Sequence, residues 1–271
     1  MSSNRFFAGD TEQKTTTAGE ADLPIRYYDG SVLLCLFEAD AAALEQELSA
    51  VELVPARFGS RALAALVFYE YRDTTIGPYN EVGLATFALP RGVQGPSTPW
   101  LDLARPPRAR RVGMYVLDLP VTTPIANAAG RELWGLPKFV TRIDFERRGR
   151  RFIGEIHDPS GGGSIARLSG GLGLPLPMPP MEPMLYSRLG TTELRTEIKV
   201  RGMHSLRVGQ SLRLQVGGSS HRMAENLRRF GLKESARLAI YAPRAQMVLP
   251  LGQARAASRE PDASGGRMAA E

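Results

Sequence analysis

Of the 34 basic residues in this chain of 271, only four are lysines: Lys14, Lys138, Lys199 and Lys233. Arginine carries the ordinary surface charge, so each lysine asks for a reason. Lys14 lies in a polar N-terminal segment. Lys199 takes a polar phase of the alternating stretch ELRTEIKVRG, and Lys233 follows Gly231, a helix-ending glycine. Lys138 differs. It stands in GRELWGLPKFV (Gly130–Val140), between a proline and a phenylalanine and close to Trp134 and Leu136. Lysine ordinarily keeps its ammonium in water. An amine drawn out of water favours its neutral form, and a neutral amine attacks a ketone or aldehyde to give a Schiff base. The protonated imine withdraws electrons from the adjacent carbon. That permits loss of carbon dioxide from a β-keto acid, or formation of an enamine that attacks a second carbonyl. Pro137 fixes its own φ and drives Leu136 toward extended geometry, so the lysine would leave a rigid platform just past a helix end. A lysine that merely snorkels from a turn is the competing reading.

Other chemistry finds little support. The histidines His157, His204 and His221 have no metal-ligand spacing and no cysteine partner, so no metal site is expected. There is no Gly-x-Ser-x-Gly elbow. GGGS (Gly161–Ser164) and SGGLGLP (Ser169–Pro175) lack the Gly-Lys-Ser/Thr of a phosphate loop and the parallel βαβ setting of a dinucleotide loop. The net charge is +6, but it is spread along the chain. The densest cluster, RPPRARR (Arg105–Arg111), has no interleaved aromatics and reads as a solvated loop or subunit contact rather than a nucleic-acid surface. The longest apolar runs, SVLLCLF and ALAALVFYEY, are far short of a membrane span. The N-terminus is not a secretory signal. The single cysteine, Cys35, sits in an apolar run as core packing and suggests a reducing compartment. A cytoplasmic protein is therefore expected.

The elements that must position Lys138 are mostly strands. SVLLCLFEA is a strand, and DAAALEQELSA is a helix capped by Asp40. LAALVFYEYRD and EVGLATFALP form two strands around the reversal TTIGPYN. A proline-rich connector, PSTPWLDLARPP, leads to the strand RRVGMYVLDLPV. TTPIANAAGREL is a short helix with Pro124 near its first position. FVTRIDFERRGRRFIGEIHD is a hairpin turning at Arg148-Gly149-Arg150. GGLGLPLPMPPMEP is a Gly/Pro-rich loop; its Met/Pro part packs over a core or lines an apolar pocket. TELRTEIKV and SLRLQVGG alternate with period two. HRMAENLRRFGL is a helix ended by Gly231, and ARLAIYAPRAQMVLPLG closes the chain as a strand pair or one bent strand. The expected class is α+β, mainly antiparallel β, a barrel-like sheet with a few short helices. Residues 1–23 read as disordered, 24–251 as a single domain and 252–271 as a flexible tail.

The segment around Lys138 resembles the acetoacetate decarboxylase family, whose pattern runs Gly-Arg-Glu-Leu/Ile, a short aromatic-containing stretch, then Pro-Lys. Here these are Gly130, Arg131, Glu132, Leu133, Trp134, Gly135, Leu136, Pro137 and Lys138. DTTIGPYNEVG (Asp73–Gly83) resembles the family's Asp-Thr turn followed by Tyr-x-Glu-x-Gly, and APRAQMVLP its closing strand. The resemblance implies the family's barrel-like fold and a Schiff-base lysine at Lys138. It implies a glutamate, Glu81, that orients substrate or shuttles a proton, and an apolar shell from Trp134, Leu136 and Phe139, each of which reads equally as plain core. Arg131 and Glu132 would pair to fix the helix end. No metal or organic cofactor is implied, since the lysine is itself the electron sink. The partner is a small-molecule keto acid, with neither nucleic acid nor membrane, and homo-oligomers are usual. The implied activity is decarboxylation of a β-keto acid such as acetoacetate. The alternatives are an aldolase-dehydratase acting on a 2-oxo acid and an aldehyde, and a non-catalytic small-molecule-binding member of the fold. Two departures stand out. Phe139 takes the place of a second lysine found in the best-known members. The region before the first core strand, YYDGSV, lacks the family's carboxylate-binding arginine, Arg26 being nearest; Glu70 lies near the place of a further family glutamate but out of register.

Overall fold

The run ALAALVF (Ala62–Phe68) is apolar without interruption, the pattern of a strand covered on both faces. In the computed structural model, which describes residues 5–96 and 99–255, it lies within a 14-residue strand of a 13-stranded sheet. In chain order the elements begin with β1 (Glu12–Thr16), β2 (Gly19–Leu23), β3 (Ile25–Ala39), helix α1 (Ala41–Ser49), β4 (Leu53–Pro55), β5 (Arg57–Phe58), β6 (Arg61–Thr74) and β7 (Tyr79–Pro90). Helix α2 (Pro99–Leu103) precedes β8 (Gly113–Val121), helix α3 (Pro124–Trp134), β9 (Lys138–Val140), β10 (Ile143–Arg148), β11 (Arg151–His157) and β12 (Ser164–Gly171). Then come β13 (Leu174–Met178), β14 (Met184–Leu189), β15 (Thr192–Glu197), β16 (Lys199–Val208), β17 (Arg213–Val216), helix α4 (Arg222–Arg229), β18 (Leu238–Leu249) and β19 (Gln253–Ala254).

The large sheet runs β13-β16-β18-β3-β6-β7-β8-β14-β15-β19 and curls into a half-barrel. Its pairs are antiparallel except where β8 meets β14 and β9. The expected class, mainly antiparallel β with a few helices, is the one observed. A second, four-stranded sheet, β10-β11-β12-β17, covers part of the outer face. Each central strand therefore feeds two cores with period two. On β6, Val67 and Tyr71 enter the inner core, whereas Leu66 and Phe68 enter the outer one with Phe152, Ile156 and Leu227. Cys35 is fully buried in that outer core, as packing.

The expected helices are present. Asp40 accepts from the amides of Ala42 and Ala43 at 2.8 and 2.9 Å, capping α1. Pro124 opens α3, where its missing N–H costs nothing. The hairpin turn at Gly149 is also as expected, with Arg148 paired to Arg151. The proline-rich connector contains the short helix α2, and the Gly/Pro-rich loop contributes β13.

The termini differ from expectation. Residues 12–23 form the hairpin β1–β2 instead of a disordered arm. Composition missed it because the holding contacts are distant in sequence. The Thr17 amide donates to the Glu132 carboxylate at 3.2 Å. The Arg26 guanidinium, 6% exposed, donates to the carbonyls of Phe7 and Gly9 at 3.0 Å and to Thr11 Oγ1 at 2.9 Å. At the other end, β19 pairs with β15. The rest of the expected tail, residues 256–271, lies outside the described residues. No helix among the described residues is long and apolar enough to cross a membrane.

Candidate active site

Lys138 is delivered to the inner core by three local devices. Helix α3 ends at Gly135, whose φ of 63° is left-handed, and the Leu136 amide returns to the Gly130 carbonyl at 3.0 Å. Only glycine fits at 135, since a Cβ there would meet the Arg188 carbonyl oxygen at 2.0 Å. Pro137 then extends the chain, its carbonyl accepting from the Leu119 amide at 3.2 Å, and β9 joins β8 in parallel with Lys138 beside Leu119. Finally, Arg131 Nη1 donates to the Lys138 carbonyl at 3.1 Å. Arg131 and Glu132 were expected to pair with each other. Instead Arg131 ties α3 to β9, and Glu132 holds Thr17.

The Lys138 side chain runs beneath α3. A Cβ on Gly130 would lie 2.4 Å from Lys138 Cδ and Cε, so the glycine vacates the space that the lysine stem fills. At the end of that stem, Nζ donates to Glu81 Oε2 at 2.6 Å. Both residues are buried, at 6% and 7% exposure. Glu81 arrives from β7, opposite Tyr69 on β6 and Val121 on β8. The two residues that carried the resemblance thus meet as an ion pair, although 57 residues separate them.

The pair forms part of the wall of a cavity of about 130 Å³. Its walls come from the inner phases of the central strands: Tyr27, Val32 and Leu34 on β3, Val67, Tyr69 and Tyr71 on β6, Glu81, Gly83 and Ala85 on β7, and Met114, Val116 and Leu119 on β8. Met181 and Pro183 close it from the Met/Pro loop, so the pocket-lining reading of that loop holds. Among the described residues, Glu81 and Lys138 are the only charged ones in the lining.

Of the expected apolar shell, Leu136 lines the cavity. Trp134 and Phe139 do not. Trp134 is buried beside it in the inner core, its indole N–H donating to the Pro250 carbonyl at 2.9 Å. Phe139 follows Lys138 on an extended strand, so it points to the opposite face and packs on His221, with ring centroids 4.3 Å apart. Arg26 is spent on the N-terminal segment, and Glu70 faces outward to Ser31 and Arg72 at 3.0 and 2.6 Å. Neither reaches the pair.

Four tyrosines surround the pair instead. Tyr27 and Tyr79 share a hydrogen bond of 3.2 Å, Tyr69 stacks on Tyr71 at 5.3 Å, and Lys138 Nζ lies 5.7 Å from the centre of the Tyr79 ring. Burial, joined by the charge of Glu81, pushes all four hydroxyls above the ordinary tyrosine range. They stay protonated at neutral pH and offer neutral donors. His204 is the remaining polar residue of the lining. Its Nδ1 donates to the Gly202 carbonyl at 3.1 Å, and burial lowers its pKa, so the ring is neutral at pH 7 and its Nε2 is an acceptor. Sequence reasoning missed the tyrosines and His204. The signal for Tyr69 and Tyr71 was available, because they share the inner phase of the hairpin that carries Glu81.

Comparison with known proteins gives a consistent result. The acetoacetate decarboxylase family model matches residues 10–215. No curated protein matches the sequence. Among solved structures, the acetoacetate decarboxylase of Legionella pneumophila is 18% identical, with a TM-score of 0.60 over 93% of this chain and 94% of that one. The enduracididine biosynthesis enzyme MppR, complexed with pyruvate, is 12% identical, with a TM-score of 0.62 over 91% and 98%. An acetoacetate decarboxylase-like enzyme from Sphingomonas wittichii RW1 is 13% identical, with a TM-score of 0.59 over 86% and 93%.

Proposed function

The chain belongs to the acetoacetate decarboxylase family, and from that premise we propose that it is a carbon–carbon lyase in which Lys138 forms a Schiff base with a β-keto acid and releases carbon dioxide. The observation that carries this reading is the Lys138–Glu81 pair, 2.6 Å apart in the wall of an otherwise uncharged cavity. The ammonium would first pass a proton to the Glu81 carboxylate it touches. The freed amine attacks the ketone carbon. As the carbinolamine loses its hydroxyl, Glu81 returns the proton to it and water leaves. The product is an iminium cation beside a carboxylate. The electron pair of the bond to the carboxylate then moves into the iminium, giving carbon dioxide and an enamine. Protonation of the enamine carbon and hydrolysis release the ketone and restore the pair. The overall reaction takes up one proton. Neutral hydroxyls from the tyrosines would serve as donors to the carbinolamine oxygen.

A second reading rests on the same pair. An iminium of Lys138 with pyruvate can lose a methyl proton to give an enamine that attacks an aldehyde, the aldolase-dehydratase reaction, and MppR, which shares this fold, is described in complex with pyruvate.

The test is reductive trapping. The full-length protein is incubated with acetoacetate or pyruvate and cyanoborohydride, digested and mapped by mass. An adduct on Lys138, lost in Lys138→Ala, is expected. Carbon dioxide release then separates decarboxylation from condensation of pyruvate with an aldehyde. Absence of an adduct on Lys138 with these and with any other carbonyl compound tried would overturn the Schiff-base reading and leave a non-catalytic binding protein.

A further inference from the structure

The cavity at Lys138 does not end at its own walls. Leu34, Met181 and Ile240 line it, and the same three residues line an adjoining groove of about 490 Å³. The groove runs between strands β3 and β18 and the Met/Pro loop, and its far walls include Leu36, Phe87 and Leu238. The arrangement follows from strand geometry. Val32, Leu34 and Leu36 occupy one face of β3, so the first faces the lysine cavity, the second borders both spaces and the third lies in the groove. Leu238 and Ile240 repeat this on β18, which pairs directly with β3. Two parallel rows of aliphatic side chains therefore lead away from the reacting amine.

The groove is unlike a polar binding site. Among the described residues, Arg110 is the only charged one in its lining, and its guanidinium already donates to the carbonyls of Arg105 and Glu182, each at 2.5 Å. The loop that roofs it is built from prolines and methionines. Prolines offer no amide donor, and methionine adapts to unbranched apolar ligands.

Resting on the Schiff-base reading, we propose that the substrate carries a long apolar tail: its carbonyl meets Lys138 while the tail passes Leu34, Met181 and Ile240 into the groove. At about 3.3 Å per residue, Val32 and Leu36 are roughly 13 Å apart along the strand. An extended alkyl chain with bonds of about 1.5 Å covers that with about ten carbons. Acetoacetate, with one methyl group beyond its ketone, would leave the groove empty.

The experiment uses the full chain and a series of neutral methyl ketones from acetone to 2-undecanone, with cyanoborohydride as the trap. Attack by the amine and loss of water give an iminium, and hydride reduces it to a stable secondary amine on Lys138. The concentration giving half-maximal trapping is read for each ketone. It is expected to fall about fourfold for each buried methylene. Lys14, Lys199 and Lys233 lie outside the cavity, and any adducts on them should show no such trend. Met181→Trp, placed where the two spaces join, is expected to end the gain at a shorter chain. Equal trapping of acetone and 2-nonanone at Lys138 overturns this substrate class and leaves the Schiff-base reading intact. Failure to trap any ketone overturns both.

Discussion

Gly130→Ala should cost at least about a hundredfold in trapping at Lys138 while leaving the protein as stable as before. The two halves of that expectation have separate causes. Alanine is favoured over glycine inside a helix by about 1 kcal/mol, so α3 itself gains. The new methyl group, however, would sit 2.4 Å from Cδ and Cε of Lys138, and its three nearest neighbours are all atoms of the lysine stem. The flexible stem must yield rather than the backbone. A shift of about 1 Å in a reacting group costs on the order of a hundredfold. Trapping rates and a thermal melt of the same preparation check both halves. Normal trapping would falsify the view that Gly130 reserves the path of the lysine. A large loss of stability would show that the helix gives way instead.

Lys138→Met should unfold more easily than the parent by about 3–5 kcal/mol, because it strands a buried carboxylate. Methionine matches the stem of lysine, so packing beneath α3 is kept and the effect reports on charge. The double variant Lys138→Met with Glu81→Gln should recover most of the loss. Neither variant should form an adduct at position 138. Denaturant midpoints of the single and double variants give the coupling directly. If Lys138→Met is as stable as the parent, the pair is not the buried ion pair described here. The reactive amine is also one half of a buried ion pair, so the penalty and the lost chemistry should appear together.

Lys138 was legible from the sequence because of its scarcity and its proline. In a chain that charges its surface with arginine, one lysine between Pro137 and Phe139 stood out, and snorkelling from a turn stayed a competing reading until the resemblance was added. Glu81 was legible only through the resemblance, but the hairpin could have supplied its neighbours. The reversal at Thr74–Gly77 sets Tyr71 against Tyr79 and Tyr69 against Glu81. Strand phase then places Val67, Tyr69 and Tyr71 inside and turns Glu70 out. The same rule applied to β9 would have sent Phe139 away from the cavity. Other features lay beyond local pattern. Irregular register at Asp29–Gly30 shifts the phase of β3, so Tyr27 and Val32 share the inner face despite odd spacing. The N-terminal hairpin meets Glu132 from a distant helix, and the segment before it is held by Arg26; local composition reveals neither contact. The Met/Pro loop has no period at all, and only the folded chain shows that it roofs the cavity.

The two charges of the cavity lining cancel at rest, and its other polar groups are neutral hydroxyls and a neutral imidazole. An approaching ligand therefore feels no focused field from the site itself. Capture would be set by diffusion and by shedding of water from its apolar part, with little help from the chain's overall charge of +6 once physiological salt has shortened the range of that field to about 8 Å. Such a pocket selects by what a molecule leaves behind in solvent rather than by the charge it brings.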